Sequence, residues 1–200
     1  MRSKIVTALV VAGLAAPPAA AAATSPGVAS IGAASFTKAG STVTVPEQGA
    51  CSAAGPTSTT AEAVTRPGIT FGGGTSSCTP SKSTATGKNF ELSALVPAGG
   101  PRVRLSTFTV TCEGTQTQTN ATWTYGGLSG IANPPSPVPA GYVSPVRKPD
   151  GTALANAVFN IQELPGDGSI GLTMLRIDFL PASGVTGSVR LGSTSCSPTP

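Results

Sequence analysis

The sequence predicts an all-β protein, an antiparallel β-sandwich of immunoglobulin-like or jelly-roll-like type held by two disulfides. Three observations carry this reading. First, helical periodicity is missing, and 25 glycines and 19 prolines spread through the 200 residues punctuate any helix. Second, the segments between them are rich in Thr, Ser and Val and alternate apolar with polar, the pattern of half-buried strands. Third, the chain has four cysteines and no histidine, a composition suited to a disulfide frame.

Strands are expected in order at residues 30–36, 41–45, 61–65 and 69–71, the last two flanking an Arg66-Pro67-Gly68 turn. Residues 89–96 follow. The clearest long strand is 102–112, whose apolar set changes phase from Val103 and Leu105 to Phe108, Val110 and Cys112. A bulge near Ser106-Thr107 would reconcile the two faces. Residues 115–125 put Ala121, Trp123 and Tyr125 on one side and Gln116, Gln118, Asn120, Thr122 and Thr124 on the other. Residues 154–164 align Ala155, Ala157, Phe159 and Ile161. Residues 169–180 switch phase again, so that strand is buried on both faces or bulges at Met174-Leu175. Residues 185–191 close the series. Residues 50–60 and 72–88 are small, polar and Gly/Ser/Thr-rich and read as loops, and the proline run at 133–139 reads as a surface connection.

Residues 1–23 read as a secretory signal peptide. Arg2 and Lys4 give the positive start, Ile5–Ala16 the apolar stretch, and Ala19–Ala23 the small residues for cleavage. The apolar stretch falls short of the roughly 20 residues a membrane-spanning helix needs. No membrane span is therefore expected after cleavage. Residues 24–200 are expected to form one sandwich domain, with 24–88 as an alternative loop-rich front lobe. Without Arg2 and Lys4 the formal charge falls from +4 to +2, and no basic block remains to mark a nucleic-acid footprint.

Export explains the cysteines. In an oxidising compartment Cys51, Cys78, Cys112 and Cys196 make two disulfides. Three pairings exist. Cys51–Cys78 with Cys112–Cys196 is favoured, the first closing a local loop and the second tying the middle of the chain to its end. A zinc site lacks both a CxxC pair and histidine, so no metal and no cofactor is expected.

The absence of histidine also excludes Ser-His-Asp and Cys-His catalysis, and no GxSxG or phosphate-binding loop is present. Carboxylate chemistry stays formally open, because two positioned acids suffice for glycoside hydrolysis. However, Asp150 and Asp167 precede glycines in turns, where Asp is favoured for backbone reasons. Asp178 sits two residues from Arg176 on one strand face, as in a surface ion pair. No catalytic residue is expected.

The back half carries a run of phrases: TFTVTCEGTQTQTNATWTYGGLSG from Thr107, PVPAG from Pro137, DGTALANAVFNIQEL from Asp150, DGSIGLTMLRIDFL from Asp167 and GVTGSVRLGSTSC ending at Cys196. In these, over residues 88–196, the chain resembles actinobacterial exported proteins of the choice-of-anchor P family. The resemblance implies a secreted, β-rich protein attached to the cell surface by a C-terminal anchor. This chain stops soon after Cys196, with no anchor pattern. The resemblance implies no activity.

The expected function is that of a secreted, non-catalytic extracellular or cell-envelope-associated protein, structural or adhesive. The alternative is a carbohydrate- or cell-wall-binding module. Partners would be a cell-wall glycan or another surface protein, not nucleic acid. Trp123 and Tyr125, with Tyr142, are the candidate ligand platform. The competing reading of the pair on one strand face is that both rings fill the core.

Overall fold

The alternating segments fold into two antiparallel sheets packed face to face. The computed structural model describes residues 27–198, so the expected signal peptide at 1–23 lies outside them. Among the described residues there are fourteen strands: β1 (Val28–Lys38), β2 (Ser41–Gln48), β3 (Cys51–Ser52), β4 (Ser58–Ala61), β5 (Val64–Arg66), β6 (Ile69–Phe71), β7 (Gly74–Cys78), β8 (Lys82–Leu92), β9 (Val103–Gly114), β10 (Thr119–Gly126), β11 (Tyr142–Arg147), β12 (Ala153–Glu163), β13 (Ile170–Phe179) and β14 (Val185–Cys196). No helix among them is long and apolar enough to cross a membrane.

The first sheet runs β11-β12-β13-β14-β1-β2, with β3 beside β1. The second runs β10-β9-β8-β6-β5, with β7 beside β8 and β4 beside β7. The front of the chain thus enters both sheets. Between the sheets lie Ile31, Phe36, Phe71, Leu92, Leu105, Phe108, Phe159, Ile177 and Leu191, all buried. Burying each such side chain contributes roughly 1.5–3 kcal/mol.

Residues 72–88, expected as loop, instead hold β7 and most of β8. The inward positions of these strands are Ser76, Cys78, Ser83, Ala85 and Gly87, too small to show as an apolar alternation. Smallness is required there. A Cβ on Gly87 would stand 2.3 Å from Cζ of Phe108, its cross-strand partner, whose ring covers the glycine. Residues 50–60 likewise contain β3 and the start of β4. The strand expected from residue 115 begins at Thr119, because Thr115 and Gln118 close a hairpin turn by mutual backbone and hydroxyl bonds. β11 was not foreseen. It is an edge strand, which accommodates Pro145.

The phase changes are present, but no bulge causes them. In β8–β9 the pairs Lys88–Thr107 and Phe90–Leu105 keep one register, and both strands switch faces together where Asn89, at φ 49°, stands opposite Ser106. In the first sheet Asn160, Met174, Gly192 and Ile31 stand side by side across β12, β13, β14 and β1, again without a register change. Met174 and Leu175 are consequently both buried. A bulge adds a residue to one strand only. Here every strand spends one residue on the crease, and Asn160 (φ 55°) and Gly192 (φ 62°) supply the left-handed conformation that reverses the faces.

Gly192 is doubly constrained, since a Cβ there would also lie 2.9 Å from Val110 and 3.1 Å from Phe108. Gly192→Ala is expected to cost about 2–4 kcal/mol, backbone strain and overpacking together. Gly184→Ala, at a similar φ of 66° but with nothing within 4 Å, should cost about 1–2 kcal/mol. Urea unfolding of the two variants checks this. Equal midpoints would mean the core yields at Gly192.

One end of the sandwich is stapled. In the second sheet Cys78, Ser83 and Cys112 are neighbours across β7, β8 and β9. Facing them in the first sheet are Cys51 on β3 and Thr194 and Cys196 on β14. The disulfides are Cys51–Cys78 and Cys112–Cys196, the favoured pairing. Between them the buried Thr194 hydroxyl meets Ser83 Oγ, which donates to the Ser195 carbonyl at 2.8 Å.

The outer face of the second sheet carries two continuous rows of hydroxyls. Successive cross-strand partners on β4, β7, β8, β9 and β10 are Ser58, Ser77, Thr84, Thr111 and Thr122 in one row. In the other they are Thr60, Thr75, Thr86, Thr109 and Thr124. No register shift interrupts either row.

Candidate functional site: an aromatic cleft

β10 is an edge strand whose inward residues alternate with Thr and Asn, so Trp123 and Tyr125 share a face at the rim of the core. Both are half-buried and pack against it. Trp123 stacks with Tyr125 at 5.6 Å and 25° between planes, and with Phe159 of β12 at 6.3 Å and 19°. Tyr142 of β11 lies on the far side of the cluster, 6.5 Å from Phe159. Phe159 is buried and backs the other rings.

In front of Trp123 and Tyr125 opens a cleft of about 520 Å³. Its other walls are Pro134, Pro135, Ser136 and Val138 of the proline run, and the amides Asn160 and Gln162 of β12. Asn160 Nδ2 donates to the Val138 carbonyl at 2.8 Å, and Gln162 Nε2 donates to Asn160 Oδ1 at 3.0 Å. The crease residue therefore also fixes the proline wall. Sequence reasoning named Trp123, Tyr125 and Tyr142 but not Asn160, Gln162 or the proline wall. The signal available for Asn160 was an asparagine interrupting an apolar alternation.

A second hollow of about 520 Å³ lies on the outer face of the first sheet. There Glu47 accepts from Ser30 Oγ and Arg190 Nη2, each at 2.9 Å. Of the other carboxylates, Glu91 and Asp178 are paired and Asp150 and Asp167 sit in turns. Arg176 Nε donates to both oxygens of Asp178 at 2.9 Å. Arg104 and Arg102 hold Glu91 below its ordinary carboxyl range. Asp150 and Asp167 accept the backbone N–H two residues on, from Thr152 at 2.8 Å and Ser169 at 2.9 Å; the Thr152 N–H lowers the Asp150 carboxyl, and the Ser169 hydroxyl, then its N–H, lowers that of Asp167. Among the described residues no group of three or more His, Cys, Asp or Glu is placed to hold a metal ion.

The arrangement can present a ring face beside amide donors and acceptors, which is what an uncharged polar ligand with one apolar face requires. Compared with the models of known protein families, with curated proteins and with solved structures, the chain matches none.

Proposed function

We propose that this protein is an extracellular or envelope-associated, non-catalytic adhesive module that binds a carbohydrate in the cleft at Trp123 and Tyr125. The observation that carries the reading is the conjunction of half-exposed stacked rings with the Asn160–Gln162 amide pair in one cleft. Pyranose rings offer C–H faces to aromatic planes and hydroxyls to amides, and ligand sites combine an apolar wall with few polar groups in this way. The two disulfides and the signal-like residues 1–23 support export, as does the resemblance to the choice-of-anchor P family. A non-catalytic role is supported by the commitment of Glu47, Glu91, Asp150, Asp167 and Asp178 to ion pairs and turns.

The test is titration of the purified protein with cell-wall oligosaccharides, read by the emission of Trp123, the only tryptophan. Emission is expected to shift or quench on binding. Trp123→Ala should weaken retention on cell-wall glycan about tenfold or more, the ~1.4 kcal/mol or greater loss typical of an aromatic anchor. A tryptophan indifferent to every glycan, with retention unchanged in the variant, would sink the site.

A further inference from the structure

The two hydroxyl rows on the second sheet meet the aromatic cleft only at β10, where Thr122 and Thr124 line it; their members on β4, β7, β8 and β9 lie outside it. They occupy five adjacent strands, with eight threonines and two serines at ten outward positions. Strand preference alone does not explain this uniformity. The outer face of the first sheet, built by the same chain, mixes Arg176, Arg190, Asp178 and Val158 at equivalent positions. Charge is confined to the ends of the array, where Lys82 pairs with Glu113 on one side and Lys88 stands on the other.

Backbone geometry sets the lattice of these positions: neighbouring strands stand about 4.8 Å apart and successive outward residues along a strand about 6.8 Å apart. A rectangular, uncharged grid of groups that each donate and accept, with threonine methyls between them, is the complement of an ordered water lattice. Its two repeats are close to the oxygen repeats on a prism face of hexagonal ice. Charged side chains would break such a layer by imposing their own hydration, and a bulged register would lose the rows. No charged side chain stands at the ten positions and no register shift interrupts them. In the central pairs Thr84–Thr111 and Thr86–Thr109 the hydroxyls lean together to 3.3 Å, a contact that a bound water layer would replace.

We infer that this face is an ice-binding surface, whose ligand is crystalline water held by the two hydroxyl rows. The site shares only Thr122 and Thr124 with the carbohydrate cleft. The experiment is ice recrystallisation in a frozen sucrose solution containing the purified, oxidised protein, with melting temperatures measured on every variant. The protein is expected to keep crystals small, and so is Thr42→Lys on the other sheet. Thr75→Lys with Thr86→Lys, both at exposed positions outside the cleft, should require at least tenfold more protein for the same effect. Thr75→Val with Thr86→Val keeps the shape and should also lose activity, which guards against a folding defect in the lysine variant. Trp123→Ala should retain full ice activity, separating this surface from the cleft. Crystals that coarsen as in buffer would overturn the inference, as would array variants as active as the parent. It would equally fall if the parent failed on ice while the array variants lost retention on an insoluble polysaccharide, which would make the face a glycan platform.

Discussion

The double variant Cys112→Ala/Cys196→Ala is expected to lose about 4.5 kcal/mol of stability, against about 3.5 kcal/mol for Cys51→Ala/Cys78→Ala. The chain-entropy relation gives these values for closures of 84 and 27 residues. Either loss is large beside the roughly 5–15 kcal/mol that holds a native domain. Both bridges join the second sheet to the first at one end of the sandwich, on either side of the Ser83–Thr194 contact. The longer one matters more because it ties β9 to the last strand. Without it the unfolded chain regains the freedom of everything from the middle of the protein to its end. Urea unfolding of the oxidised variants and parent measures the ranking. Equal losses, or a larger loss at Cys51–Cys78, would show that native-state strain or residual unfolded structure outweighs loop length.

Phe159→Ala is expected to cost about 3–5 kcal/mol, the range for truncating a buried phenylalanine. It should also blunt carbohydrate binding without removing any residue that lines the cleft. Phe159 is the ring against which Trp123 and Tyr142 are set, so its loss frees Trp123 to leave its orientation. Trp123→Ala should show the opposite balance, a small stability cost because the ring is only half-buried, and a large binding loss. Thermal unfolding and glycan titration on both variants test this. If Phe159→Ala binds like the parent, the tryptophan is oriented by Tyr125 and the proline wall alone.

Part of the candidate site was legible along the chain. Alternation from Thr119 to Tyr125 placed Trp123 and Tyr125 on one face, and the alternation of Ala155, Ala157, Phe159 and Ile161 placed Phe159 in the core. What alternation does not encode is which strands become neighbours in space. Phe159 meets Trp123 across the two sheets, 36 positions along the chain. The proline wall joins the cleft because Asn160 reaches Val138. The misread segment 72–88 has a similar cause. Its inward residues are small because Phe108 covers Gly87 from the neighbouring strand, and a residue chosen to fit beneath another leaves no hydrophobic signature of its own.

By itself the sequence determined the all-β class and the long strands, because these follow from local alternation and turn chemistry; it left three disulfide pairings open and favoured the one the structure shows. The phase changes in two strands were equally visible as breaks in the apolar pattern. Only the tertiary structure decided that these breaks are creases crossing neighbouring strands, that the second sheet aligns its threonines into rows, and that the rings at 123, 125, 142 and 159 gather at one cleft. Each of these depends on strand register and on sheet packing. Both are set by the summed burial of many distant side chains, so no single segment carries them.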